Sequence, residues 1–219
     1  PLPNTNANSV MIYYNNIYSM SLLKFSHNGH NWGIVRNQKC ASTSVLSYIA
    51  QILWDADPNE LQAYNTFKKQ APGVYRKLHN FSEYELDLLG CDIRVAVWRD
   101  PVEKFVSGFY HTMFSPTGAQ DALWQGPHTL DEFLENFDYY YKESIQVREH
   151  CSTNTARLGP SPHIYTDVYY YNETHKLASL LGAKTIVNHR QTDPKPELTA
   201  KQREQIVKIQ FADYANGWA

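Results

Sequence analysis

Two stretches of this chain repeat one order of features, and together they restrict what it can fold into. Ile93, Val95 and Val97 alternate with Arg94, Ala96 and Trp98 in IRVAVW, an apolar, β-branched run of the kind a parallel strand covered on both faces has. The run passes at once into Arg99-Asp100-Pro101-Val102-Glu103, a dense helix start. Asp100 is placed to be the N-cap, Pro101 sits at the first helical position where its missing N–H costs nothing, and Glu103 closes a capping box. The helix then runs through Phe105, Val106 and Phe109. Earlier in the chain NWGIVR, residues 31–36, reads as a short buried strand and Asn37 to Ser44 as a small polar loop. Val45, Leu46, Ile49, Ile52 and Leu53 then repeat one face of a helix.

Two strand–loop–helix units predict alternating architecture, and the rest of the chain fits it. Residues 129–147 read as helix, 167–171 as strand, 174–181 as helix up to Gly182, and 185–187 as a last strand. A final helix starts at Thr199, boxed by Gln202, with Val207, Phe211 and Tyr214 on its apolar face. The expected fold is therefore α/β, with a mainly parallel central sheet flanked by helices in three layers. A length of 219 residues suits one domain, with residues 1–28, whose first twenty are rich in Asn and Tyr, as an N-terminal arm.

Charge limits the partners. With 20 Lys+Arg against 22 Asp+Glu the chain carries a net charge of −2, which excludes the broad cationic surface that a general nucleic-acid binder needs. An anionic ligand must then be held by a local cluster. No apolar run approaches the ~20 residues that cross a bilayer, and the first ten residues, PLPNTNANSV, do not read as a leader. Cys40, Cys91 and Cys151 are an odd number at wide spacing, so reduced thiols and a cytoplasmic location are expected. The Golgi lumen is the alternative if an anchor has been removed ahead of Pro1; the acceptor-type triplets at Asn80 and Asn172 point that way.

Two clusters carry chemistry. Lys39-Cys40-Ala41-Ser42-Thr43-Ser44 lies where a strand turns into a helix, where backbone N–H groups and the positive end of the helix dipole attract an anion. Lys39 adds a mobile cation, the three hydroxyls add donors, and Ala41 lets a ligand come close. The nucleotide-triphosphatase pattern GxxxxGK[ST] is absent. The second cluster is Arg99, at the C-terminal end of a buried strand where open α/β sheets bind ligands, with Ser107 about two turns into the next helix. No spacing points to a metal.

KCASTS after a strand, followed some sixty residues later by VWRDPVEKFVSGFY, resembles the 5′-phosphosulfate loop and 3′-phosphate motif of the sulfotransferases that use 3′-phosphoadenosine 5′-phosphosulfate. His150-Cys151-Ser152-Thr153-Asn154, Asp167 to Thr174 with Leu180-Leu181-Gly182, and Ala212-Asp213-Tyr214 are similar to the carbohydrate (family 2) branch. The chain departs from that pattern in Asn154 for a glutamine, Cys151 for an aromatic residue, and Asn37-Gln38 where a proline often precedes the lysine. The resemblance implies a P-loop-like fold and a division of labour. Lys39 and the amides and hydroxyls of residues 40–44 would hold the 5′-phosphosulfate, and Arg99 and Ser107 the 3′-phosphate. The sulfuryl group would pass in line to a hydroxyl acceptor, a glycan or small glycoside, without a metal. Such an acceptor needs a general base; His79 in YRKLH is the first candidate, His150 the second, Glu83 and Glu85 the third. Residues 55–75 and 112–128 are the expected acceptor-specificity loops.

Three other readings stand beside this one. His150-Cys151 with Arg157 satisfies the HCx5R spacing of cysteine phosphatases, but Leu158-Gly159-Pro160 cannot open the long helix that such a loop needs. A P-loop kinase-like phosphotransferase would need the missing glycines and a magnesium carboxylate. A non-catalytic nucleotide-binding module would keep the loops and lack the base.

Overall fold

The structure is a computed structural model that describes residues 20–71, 74–78, 81–114, 127, 129–184 and 197–219. Its sheet is built from β1 (Met20–His27), β2 (His30–Val35), β3 (Tyr75–Leu78), β4 (Ile93–Trp98) and β5 (Asp167–Tyr170), in the spatial order β3-β1-β2-β4-β5. β2, β4 and β5 run parallel, while β1 is antiparallel to both β2 and β3. The sheet is mixed because β1 runs against the other four strands, which share one direction, so the mainly parallel expectation holds apart from β1. The reason lies at Asn28-Gly29, where φ of 51° and 78° makes a two-residue turn between the paired His27 and His30. Positive φ at both turn positions is the geometry whose twist matches a tight hairpin, and Asn-Gly is its preferred sequence. The hairpin draws residues 20–27 out of the expected N-terminal arm and into the sheet, with Leu22 and Leu23 fully buried.

Alternation along the strands sends successive side chains to opposite faces. Leu23, Ile34, Val95 and Val97 pack on one face against α1 (Ser42–Trp54), α2 (Glu60–Gln70) and α9 (Thr174–Leu181). Leu22, Val35 and Ala96 pack on the other, with Leu88 of α3 (Phe81–Leu89), Leu158, Tyr165 and Trp218. Helices thus cover both sides, which is why β4 reads as a continuous apolar run. The expected loop at 55–75 contains α2, capped by Asn59, whose side chain accepts from the Leu61 and Gln62 amides.

α4 (Pro101–Phe114) starts with the predicted Asp100 cap, the Glu103 amide donating to Asp100 Oδ1 at 2.9 Å, while the Glu103 carboxylate expected to close a capping box accepts from Arg99 Nε. Its Val102, Phe105, Val106 and Phe109 enter a separate core with Phe133, Tyr140 and Ile206. The helix expected over 129–147 is instead three: α5 (Leu130–Glu135), α6 (Phe137–Glu143) and α7 (Ile145–Cys151). Ser144 is extended, and its hydroxyl caps the Val147 amide, a bond that competes with a continuous helix. α4 and α7 touch at Gly108, where an added Cβ would stand 2.3 Å from the His150 carbonyl oxygen. A short α8 (Asn154–Leu158) follows, and the chain ends on α10 (Ala200–Ile209) and α11 (Phe211–Ala215). Thr199 and Gln202 make the predicted capping box. The predicted apolar face holds in part: Val207 packs against the core, whereas Phe211 and Tyr214 are exposed, and Ile206 and Trp218 are the buried anchors. The strand expected at 185–187 lies outside the described residues.

Candidate anion-binding site

The loop from Arg36 to Ala41 joins β2 to α1 at the C-terminal edge of the parallel strands, where open α/β sheets leave room for ligands. Two non-glycine residues in it, Lys39 and Ala41, have left-handed φ of 64° and 54°. Each costs of the order of 1–2 kcal/mol against the right-handed form, and alternation of this kind turns successive amides into a concave, anion-seeking surface. Ala41 is the N-cap of α1 and makes no side-chain cap, so the helix start is left to the backbone. Lys39, Ala41, Ser42 and Thr43 are half-buried, whereas Cys40 and Ser44 are buried.

Arg99 leaves the end of β4 and reaches this loop. Its Nη1 donates to the Lys39 carbonyl at 3.4 Å and its Nε to Glu103 Oε2 at 3.1 Å. The guanidinium lies over the Tyr171 ring, 4.2 Å from the centroid, a stacked position that fixes its plane. Arg99 and the Lys39 loop, sixty residues apart in sequence, are therefore neighbours in the fold. Ser107, two turns along α4, is buried. His79 lies outside the described residues, as does the Glu83 side chain; Glu85 is half-buried on α3.

Beneath the loop is a buried polar scaffold that the sequence alone does not announce. Asn37 Nδ2 donates to the Val97 carbonyl at 3.3 Å and to Asn154 Oδ1 at 2.9 Å. Asn154 Nδ2 donates in turn to the Arg99 carbonyl at 2.9 Å. Asp213 accepts the amides of Asn154 and Thr155 at 2.7 and 2.6 Å, holding the start of α8. Lys104, fully buried, donates to the Ser152 carbonyl. Burial pushes the Lys104 ammonium below its usual range and the Asp213 carboxyl above its own, and each opposes the other's shift by attraction. The signal for this scaffold was a lysine at the fourth position of α4 and an aspartate in α11, both unremarkable as charges.

His150 is half-buried beside His111, with ring centroids 4.5 Å apart. Its Nδ1 donates to the Gln146 carbonyl at 2.9 Å. Burial pulls its pKa down to about 3, with His111, Lys39 and Arg157 adding repulsion, so the ring is neutral and a poor base. Cys151 and Cys40 are buried free thiols pushed up to about 12 by burial, far from the thiolate that the HCx5R chemistry requires. Among the described residues no group of acidic, His and Cys side chains could hold a metal, and no helix is long and apolar enough to cross a membrane. Compared with protein-family models, curated proteins and solved structures, the chain matches none of them.

Proposed function

We propose that this chain is a sulfotransferase that moves a sulfuryl group from 3′-phosphoadenosine 5′-phosphosulfate to a hydroxyl of a carbohydrate acceptor, on a P-loop-like α/β scaffold. The observation that carries the reading is the Arg99 bond to the Lys39 carbonyl, which brings two anion-seeking clusters to one sheet edge. A donor with one phosphate at each end of its ribose needs two such clusters in register. Lys39, the loop amides and the hydroxyls of Ser42, Thr43 and Ser44 take the 5′-phosphosulfate; Arg99 and Ser107 take the 3′-phosphate.

In the reaction the acceptor oxygen attacks sulfur while the bond from sulfur to the bridging oxygen breaks. The acceptor proton goes to a base, for which His79 is the candidate, and adenosine 3′,5′-bisphosphate leaves. Lys39 neutralises the charge that builds on the bridging oxygen, the work a metal does in many phosphoryl transfers. The test is calorimetric titration with adenosine 3′,5′-bisphosphate beside ATP with magnesium. Selective binding of the bisphosphate is expected. Preference for magnesium-ATP replaces this reading with a kinase-like phosphotransferase, and binding without turnover replaces it with a nucleotide-binding module.

A further inference from the structure

Arg99 already holds an anion, and that anion belongs to the chain. The Glu103 carboxylate, four residues along in the first turn of α4, accepts from Arg99 Nε at 3.1 Å. A guanidinium offers a two-pronged ligand either its Nε–Nη2 edge or its Nη1–Nη2 edge. Glu103 takes half of the first edge, and the Lys39 carbonyl, on Nη1 at 3.4 Å, takes half of the second. Nη2 donates to no group among the described residues. An oxyanion can therefore grip two nitrogens of this fork only when one of the two partners withdraws.

The partners are unequal. The Lys39 carbonyl is backbone, set by the left-handed φ of 64° at its own residue. Glu103 is a side chain, 49% exposed against 16% for that of Arg99, and an exposed ion pair between i and i+4 is weak. A bidentate phosphate on arginine is stronger, because it makes two parallel charge-assisted bonds. Glu103 also has another donor in place, since the Tyr170 hydroxyl donates to the same Oε2 at 3.4 Å. A carboxylate that leaves Arg99 is thus not left without a partner. The Tyr171 ring, 4.2 Å from the guanidinium, keeps the fork in its plane while one anion replaces the other.

We propose that Glu103 is a specificity-determining residue, an internal anion on the Arg99 fork that the 3′-phosphate displaces. It sets a threshold that a dianion gripping two nitrogens passes and a singly charged, one-pronged anion does not. The identity of the displacing group rests on the sulfotransferase reading; the competition at Arg99 does not. The experiment titrates the parent, Glu103→Gln, Arg99→Ala and the double variant with adenosine 3′,5′-bisphosphate, adenosine 5′-monophosphate and inorganic phosphate. Glutamine keeps an oxygen for Arg99 Nε and removes the charge. Glu103→Gln should tighten the bisphosphate about three- to tenfold, the release of one partly exposed ion pair and its repulsion. Adenosine 5′-monophosphate should stay within about twofold, since salt screens a lone charge beyond contact. The gain should vanish when Arg99 is alanine. Unchanged or weaker bisphosphate binding overturns the proposal, as does an equal gain for the 5′-monophosphate or a gain that survives Arg99→Ala. Where no variant binds the bisphosphate, inorganic phosphate decides. Tighter phosphate binding in Glu103→Gln that depends on Arg99 keeps the competition and removes the sulfotransferase reading, and unchanged phosphate binding removes both.

Discussion

Asn37 Nδ2 donates to Asn154 Oδ1 across 2.9 Å of buried interior, and so two positions at which the chain departs from the pattern it resembles are partners of one another. The pair ties the loop that carries Lys39 to the start of α8, and Asn154 passes the connection on to the Arg99 carbonyl. A change at one position alone leaves the other without its partner, which gives a physical reason for their occurring together.

Removal of the Asn154 side chain strands the Arg99 carbonyl and one Asn37 donor bond, in a place from which water is excluded. Asn154→Ala should cost about 2–4 kcal/mol of stability, from two lost bonds and the groups they desert. Asn37→Ala should cost less, and the double variant less than the sum, with a coupling of about 0.5–3 kcal/mol. Urea unfolding of the four proteins measures it. Strictly additive losses would show that the two side chains do not work as a pair.

Arg99 holds its guanidinium by stacking on Tyr171 and by Glu103, and presents its fork at the loop. Arg99→Ala should weaken adenosine 3′,5′-bisphosphate about 10- to 100-fold, the loss of a charge-assisted bidentate contact. Adenosine 5′-monophosphate should be nearly unaffected. Arg99→Lys should fail to restore the loss, because a point charge neither stacks nor forks. An equal loss for both nucleotides would sink the assignment of Arg99 to the 3′-phosphate.

Much of this arrangement is legible in the residues themselves. β4 and α4 are announced by an alternating apolar run followed by Asp100-Pro101, because local capping and two-sided burial both act through the sequence immediately at hand. The Lys39 loop is legible for the same reason. β1 was also announced, by Asn28-Gly29 between two strand-forming runs, a signal that the asparagine-rich start of the chain obscures. What is not legible depends on partners far away in sequence. Lys104 and Asp213 look like ordinary surface charges until the fold brings α4, α8 and α11 together around them. Phe211 and Tyr214 keep helical spacing with Val207, but the helix breaks at Gln210, whose side chain turns inward to the Cys151 carbonyl, and that break rotates them into solvent.

His79 directly follows β3, whose Leu78 pairs with Met20 of β1. As the base it would touch the acceptor and not the donor. His79→Ala should therefore slow turnover by about 10²- to 10⁴-fold, the usual contribution of a positioned base, while adenosine 3′,5′-bisphosphate affinity stays within about twofold of the parent's by the same division of roles. Turnover and nucleotide titration on one preparation check it. Unchanged turnover transfers the role to Glu83 or Glu85, since His150 is too weak a base to take it.

His150 has a different consequence, which concerns stability. Its pKa is about 3 in the folded chain against ~6.5 when unfolded. Between those values the unfolded chain binds a proton that the folded chain refuses. A depressed folded pKa gives a contribution that is complete above pH ~6.5 and is lost as pH falls toward ~3. Over that window stability should fall by up to about 1.4 kcal/mol per pH unit on account of this one ring. Carboxylates add their own acid dependence at lower pH, so the informative quantity is a difference between two proteins. His150→Gln removes the proton site and keeps a side chain of polar character beside Gly108 and His111. Urea unfolding of parent and variant at pH 7.0, 6.0 and 5.0, values set by the histidine range, should give a shallower pH slope for the variant by about one proton between about pH 6 and 5. Parallel slopes would mean that His150 is protonated in the folded chain after all, with its ring reached by water.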